Sequence, residues 1–105
     1  MPNTRCVRGN SPLLCIAFED RDGLPVDPVT LRFRVITPEG TRREYTYGPD
    51  PEIVRDAAGE YHCAVLLDTV RLRAKYYCRW EAVDALGLTA ADERIIETIS
   101  DFKEI

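Results

Sequence analysis

Histidine is scarce, long apolar runs are missing and there is no basic excess, and each lack removes a class of function. A nucleophile, base and orienting group would have to be assembled around His62, and no G-x-S-x-G turn surrounds any serine, so catalysis is not expected. Neither G-x-G-x-x-G nor G-x-x-x-x-G-K-[ST] occurs, which leaves no phosphate cradle and no expected cofactor. The longest apolar run, Leu13 to Phe18, falls far short of the roughly 18 residues a membrane span requires, so no membrane partner is expected. Met1 to Arg8 carries no apolar segment of a secretory signal, and the expectation is synthesis in the cytoplasm without a signal peptide. A formal charge of −4 and a pI near 5.0 lack the footprint of a phosphate-backbone binder, so no nucleic-acid partner is expected. The four cysteines are spaced by 9, 48 and 15 residues, without a C-x₂₋₄-C knuckle, and the lone His62 adjoins Cys63 on the opposite strand face; no metal is expected.

What the chain does have is the punctuation of an all-β protein. At 105 residues, with 45% hydrophobic and 30% charged residues, one domain over 1–105 with a modest core is expected. Leu13 to Phe18 reads as a strand closed by Asp22-Gly23. Leu31 to Val35 alternates, placing Leu31, Phe33 and Val35 inward. A turn at Thr37 to Gly40 returns the chain along Arg42 to Tyr47, with Tyr45 and Tyr47 on one face, and the proline-rich segment from Gly48 to Glu52 reads as a loop. Tyr61 to Leu67 buries Tyr61, Cys63, Val65 and Leu67; Tyr76 to Ala82 buries Tyr76, Cys78, Trp80 and Ala82. The expected core anchors are Phe33, Tyr61, Tyr76 and Trp80. Residues 1–11 read as an N-terminal arm or first strand, and residues 89–105 as a last strand or tail. For Glu93 to Ile99, β-branched content favours strand over a capped helix starting at Thr89.

Charge divides unevenly: residues 1–47 hold seven basic and six acidic groups, residues 48–105 seven basic and twelve acidic. The carboxylates Glu19, Asp20, Asp22 and Asp27, and Asp50, Glu52 and Asp56, sit in loops without the remainder of an EF-hand pattern, so turn chemistry is their expected role. Arg42 and Arg43 beside Tyr45 and Tyr47 are the interface candidates, because Arg and Tyr are enriched where proteins meet.

About seven short strands in 105 residues predict an antiparallel β-sandwich, and Tyr76-Tyr77-Cys78 resembles the Tyr-x-Cys signature of the sixth immunoglobulin strand. The expected fold class is therefore an immunoglobulin-like antiparallel β-sandwich of about seven strands. The chain departs from antibody-type domains in its tryptophan: Phe33 stands on the third strand, and Trp80 follows the second cysteine by two residues. Cys6, Cys15, Cys63 and Cys78 are the disulfide candidates, with three complete pairings open. The resemblance implies Cys15 with Cys78; reduced, buried thiols, or a bridge from Cys6 to a neighbouring subunit, are the alternatives.

Asp22-Gly23-x-Pro25-Val26-Asp27-Pro28, Pro38-x-Gly40-Thr41, Gly59-x-Tyr61 and Arg79-Trp80-Glu81 in this order resemble small immunoglobulin-like structural proteins of tailed bacteriophages and prophages. The resemblance spans residues 12–99. It implies a non-enzymatic virion subunit of the neck or collar, the head-tail connection or the capsid decoration, with other virion proteins and copies of itself as partners in a homo-oligomer; the four cysteines depart from that group, and disulfide reinforcement of the assembly is the expectation that accounts for them. The alternative is a cell-surface immunoglobulin-like module that binds carbohydrate or protein.

Overall fold

The computed structural model of the protein describes residues 3–7, 12–67 and 74–99. Eight strands occur among them: β1 Asn3–Val7, β2 Leu13–Ala17, β3 Thr30–Ile36, β4 Arg42–Thr46, β5 Ile53–Ala57, β6 Glu60–Ala64, β7 Lys75–Val83 and β8 Thr89–Ile99. They form a five-stranded sheet in the order β1-β8-β7-β3-β4 and a three-stranded sheet in the order β2-β6-β5. Neighbours pair antiparallel except β1, which runs parallel to β8 from Asn3 opposite Ile95 to Val7 opposite Ile99.

Alternation explains the longest pairings. Residues opposite one another in a ladder share a face. The Leu31, Phe33 and Val35 face of β3 therefore meets Ala82, Trp80 and Cys78 of β7, as the pattern predicts. All six are buried, and the Phe33 and Trp80 rings lie 4.5 Å apart at 44°. From the smaller sheet Leu14, Ile53, Tyr61 and Cys63 complete the same core, joined by Val65 and Leu67 beyond β6 and by Ile96 of β8. The four expected anchors Phe33, Tyr61, Tyr76 and Trp80 are each no more than 2% exposed.

Three readings are refined. β5 lies directly after the proline-rich loop and is a strand that the sequence pattern does not announce, because only Ile53 of its five residues is buried and its pairing with β6 slips between Arg55 and Ala57. The last strand starts at Thr89 and pairs with β7 along nine residues, so the helical alternative is overturned. The implied Cys15 to Cys78 bridge is not formed: Leu14 and Ile16 turn toward the core, which leaves Cys15 exposed on the opposite face, while Cys78 is buried and free. Of the expected terminal segments, residues 1–2, 8–11 and 100–105 and the side chain of Cys6 lie outside the described residues.

Candidate interaction surfaces

One five-residue loop is used three times. In Asp20-Arg21-Asp22-Gly23-Leu24 the Asp20 amide donates to the Leu24 carbonyl (2.9 Å) and the Gly23 amide to the Asp20 carbonyl (3.0 Å). The Asp20 carboxylate accepts from the amides of Asp22 (2.9 Å) and Leu24 (3.0 Å). Asp84-Ala85-Leu86-Gly87-Leu88 repeats every one of these bonds with Asp84 as the cap, and Gly23 and Gly87 have φ of 80° and 81°. Thr37 to Thr41 is the hydroxyl version, with Thr37 Oγ1 accepting from the Thr41 amide. A short acceptor side chain at the first position and a left-handed glycine at the fourth thus fix each loop by its own hydrogen bonds. The shared D-x-x-G-L spacing is legible in the sequence, but the second copy escapes notice there because its leucines look like ordinary apolar residues.

The two D-x-x-G-L loops flank one groove of 480 Å³, whose wall also includes Phe18, Val26 and Ala90. Their turn geometry holds leucines in solvent: Leu24 is 60% exposed, Leu88 65% and Leu86 84%. Five exposed carboxylates, Glu19, Asp20, Asp22, Asp27 and Asp84, lie along these segments with Arg21 as the basic group among them.

Behind the first loop, Asp27 works as a clasp. Its carboxylate accepts from Arg55 Nε (3.1 Å) and Nη2 (3.0 Å), the Gly59 amide (2.8 Å) and the Tyr61 hydroxyl (2.8 Å). The Arg55 hydrogen bond, then the Gly59 amide and the Tyr61 hydroxyl, hold the carboxyl far below the usual carboxylate range. Burial, reinforced by the hydrogen bond to Asp27, pushes the Tyr61 hydroxyl up to about 12. Thus Pro25-Val26-Asp27-Pro28 and Gly59-x-Tyr61, distant in sequence, are two halves of one contact. Gly59 is required there: at φ +72°, an added Cβ would lie 2.6 Å from the Phe18 carbonyl oxygen and 3.0 Å from Val26 backbone atoms.

The outer face of the larger sheet carries a charge ladder. Arg34 and Arg79 stand opposite each other on β3 and β7. Glu81 separates them, 3.1 Å from Arg34 Nε and 3.2 Å from Arg79 Nε, while Glu44 and Glu93 flank the row on β4 and β8. Further along the ladder, Ile36 and Tyr77 are paired and form an apolar floor, 39% and 49% exposed, in a hollow of 310 Å³ edged by Arg42. The interface candidates separate here. Arg42 lies on this outer face. Arg43 turns to the other side and donates to the Leu66 carbonyl of the chain after β6 (2.8 Å), Tyr45 packs on the core, and Tyr47 stacks edge-on against Tyr61 at 5.2 Å.

The smaller sheet places Cys15 opposite His62, and His62 Nδ1 lies 2.7 Å from the Asp56 carboxylate. No hydrogen bond joins the Cys15 thiol to the imidazole among those described, so the nucleophile-base contact that thiol catalysis needs is not made. Cys63 and Cys78 face the core, where burial pushes their thiols up to about 11 and about 12. Among the described residues no group of three or more His, Cys, Asp or Glu is placed to hold a metal ion. The loop carboxylate of Asp50 accepts from the Thr46 amide (2.7 Å) and closes the turn between β4 and β5. Comparison with models of known protein families finds no match, and comparison with curated proteins finds no significant one.

Proposed function

We propose that the protein is an immunoglobulin-like sandwich serving as a non-enzymatic structural subunit of a tailed-phage virion, at the neck or collar, the head-tail connection or the capsid surface. The strand order supports the immunoglobulin-like part: β2-β6-β5 corresponds to strands B, E and D, and β8-β7-β3-β4 to G, F, C and an added edge strand. Tyr76 on β7, two residues before Cys78, occupies the position of the immunoglobulin tyrosine. A function through contact is carried by one observation, the paired D-x-x-G-L loops that hold Leu24, Leu86 and Leu88 out in solvent on rigid supports. Such leucines cost solubility in an isolated molecule and become useful when a partner covers them. The virion part rests on the combined turn motifs of residues 12–99.

Mass spectrometry of purified tailed-phage particles, taken from lysates of cells that carry the gene, tests the reading. The chain should be present in the particles in several copies each. Its abundance in the lysate together with its absence from particles would overturn the virion assignment, and recovery at the cell surface would favour the adhesion-module alternative.

A further inference from the structure

The larger sheet has two unlike ends. β3 starts at Thr30, beside the D-x-x-G-L loops, and finishes at Ile36, beside the Thr37 to Thr41 turn. The loop end exposes Leu24, Leu86 and Leu88 and is acidic through Glu19, Asp20, Asp22 and Asp84 against Arg21. The far end exposes Ile36 and Tyr77 beside hollows of 310 and 390 Å³. It carries Arg42 and Lys75, neither of which forms an ion pair among the described residues. Glu44 and Glu93 on the wall of the first hollow are taken up by Arg34 and Arg79; Glu39 on the turn and Glu97, opposite Lys75 in the ladder of β7 with β8, are the further carboxylates, and neither of them is free. One end therefore offers projecting leucines with negative charge, and the other offers apolar hollows with positive charge.

We infer that these ends are the two halves of one head-to-tail contact between copies of this chain: Leu86 and Leu88 of one copy seat on Ile36 and Tyr77 of the next, with Asp22 and Glu19 facing Arg42 and Lys75. This deepens, and rests on, the reading of the protein as a subunit that acts by repeated contacts. The occupant is a second copy because the surface the loop end needs, apolar and cationic, exists on the same molecule. A contact of either end with itself would oppose like charges, which disfavours a two-fold dimer. A contact between unlike patches propagates, closing into a ring or running on as a filament.

Sedimentation of the full-length chain at low salt tests this with two charge reversals on exposed side chains, Asp22→Arg and Arg42→Glu. Asp22 is chosen because the loop is capped by Asp20, not by its own carboxylate. The wild type should self-associate with rising concentration, and each reversal should weaken association about tenfold or more. The decisive sample is the mixture. Each variant keeps the half the other has lost, and the two reversed charges complement each other, so equal amounts of the two should regain the association that neither shows alone. Leu86→Ser, at a side chain 84% exposed and outside the core, should give the same weakening through the apolar half. A wild type that stays monomeric at every concentration, association indifferent to both reversals, or a mixture that associates no better than either variant alone would overturn the inference. The virion reading fails separately, by absence of the chain from particles; a monomeric chain found in particles would sink the head-to-tail contact alone.

Discussion

Replacing Gly59 by alanine tests whether the clasp around Asp27 is a point of close backbone approach or merely a decorated turn. Two costs add. The left-handed conformation at φ +72° costs a non-glycine residue about 1–2 kcal/mol. The new Cβ would stand 2.6 Å from the Phe18 carbonyl oxygen, and backbone cannot swing aside as a side-chain tip can. The relief is separation of the strands, which strains the Phe18 amide to Gly59 carbonyl bond (2.8 Å), the Val26 amide to Phe18 carbonyl bond (3.0 Å) and the Gly59 amide to Asp27 bond (2.8 Å). At about 1 kcal/mol for each hydrogen bond lost, breaking two of them brings the total to about 3–4 kcal/mol, a large part of a small domain's stability. Gly87→Ala is the matched control: φ is +81° and nothing lies within 4 Å of the added Cβ, so only the conformational cost of about 1–2 kcal/mol applies. Urea unfolding followed by Trp80 fluorescence is the assay, since this single tryptophan is 1% exposed and reports on the core. If the two variants lose the same stability within about 0.5 kcal/mol, the close-approach argument is wrong.

The clasp also sets the pH response. Because the folded state holds the Asp27 carboxyl below its ordinary value of 3.8, its contribution is present above that value and lost as pH falls beneath it; Asp27→Asn should lower stability at neutral pH and flatten the acid side of a pH-stability curve. Tyr61 has the opposite sign: its hydroxyl is raised from 10.0 to about 12, so its contribution is complete below pH 10 and disappears as pH rises through 12. Tyr61→Phe should cost about 1 kcal/mol at neutral pH and remove that alkaline loss, as read by unfolding at fixed pH values. Alkylation of the folded, reduced protein should label Cys15 promptly and leave Cys63 and Cys78 untouched until denaturant is added, with peptide mass spectrometry as the readout; early labelling of Cys78 would contradict its burial.

Parity decided what was legible in the sequence. β3 and β7 alternate charged with apolar residues, so the faces of Arg34 and Arg79, and of Glu81 and Trp80, follow from alternation alone. In Leu13 to Phe18 every residue is apolar, and nothing local tells whether Leu14 or Cys15 turns inward; the immunoglobulin resemblance suggested Cys15, and packing chose Leu14 and Ile16. β5 was hidden for the converse reason, since an edge strand with one buried residue has no period to read. At the interface candidates, alternation separates Arg42 from Arg43, and the inward role of Arg43 depends on Leu66, a partner 23 positions away that no local pattern reveals. The clasp is of the same kind: Asp27 looked like loop chemistry because Arg55, Gly59 and Tyr61 reach it only once β5 and β6 are in place.

The parallel pairing of β1 with β8 carries a consequence for the order of events as the chain is made. Asn3 finds its partner in Ile95 and Val7 in Ile99, so β1 cannot enter the sheet until β8 has been made. The pairings of β3 with β4 and β7, and of β6 with β2 and β5, need nothing from β8 and can form earlier. The five residues of β1 therefore wait while β2 to β8 are made, and the edge that receives them is the last of the described strands to appear. Joining partners so far apart in sequence is the slowest kind of contact to close. While β8 is still missing, the smaller sheet has its three strands and the larger sheet is open along β7, so docking of β1 can only follow that of β8.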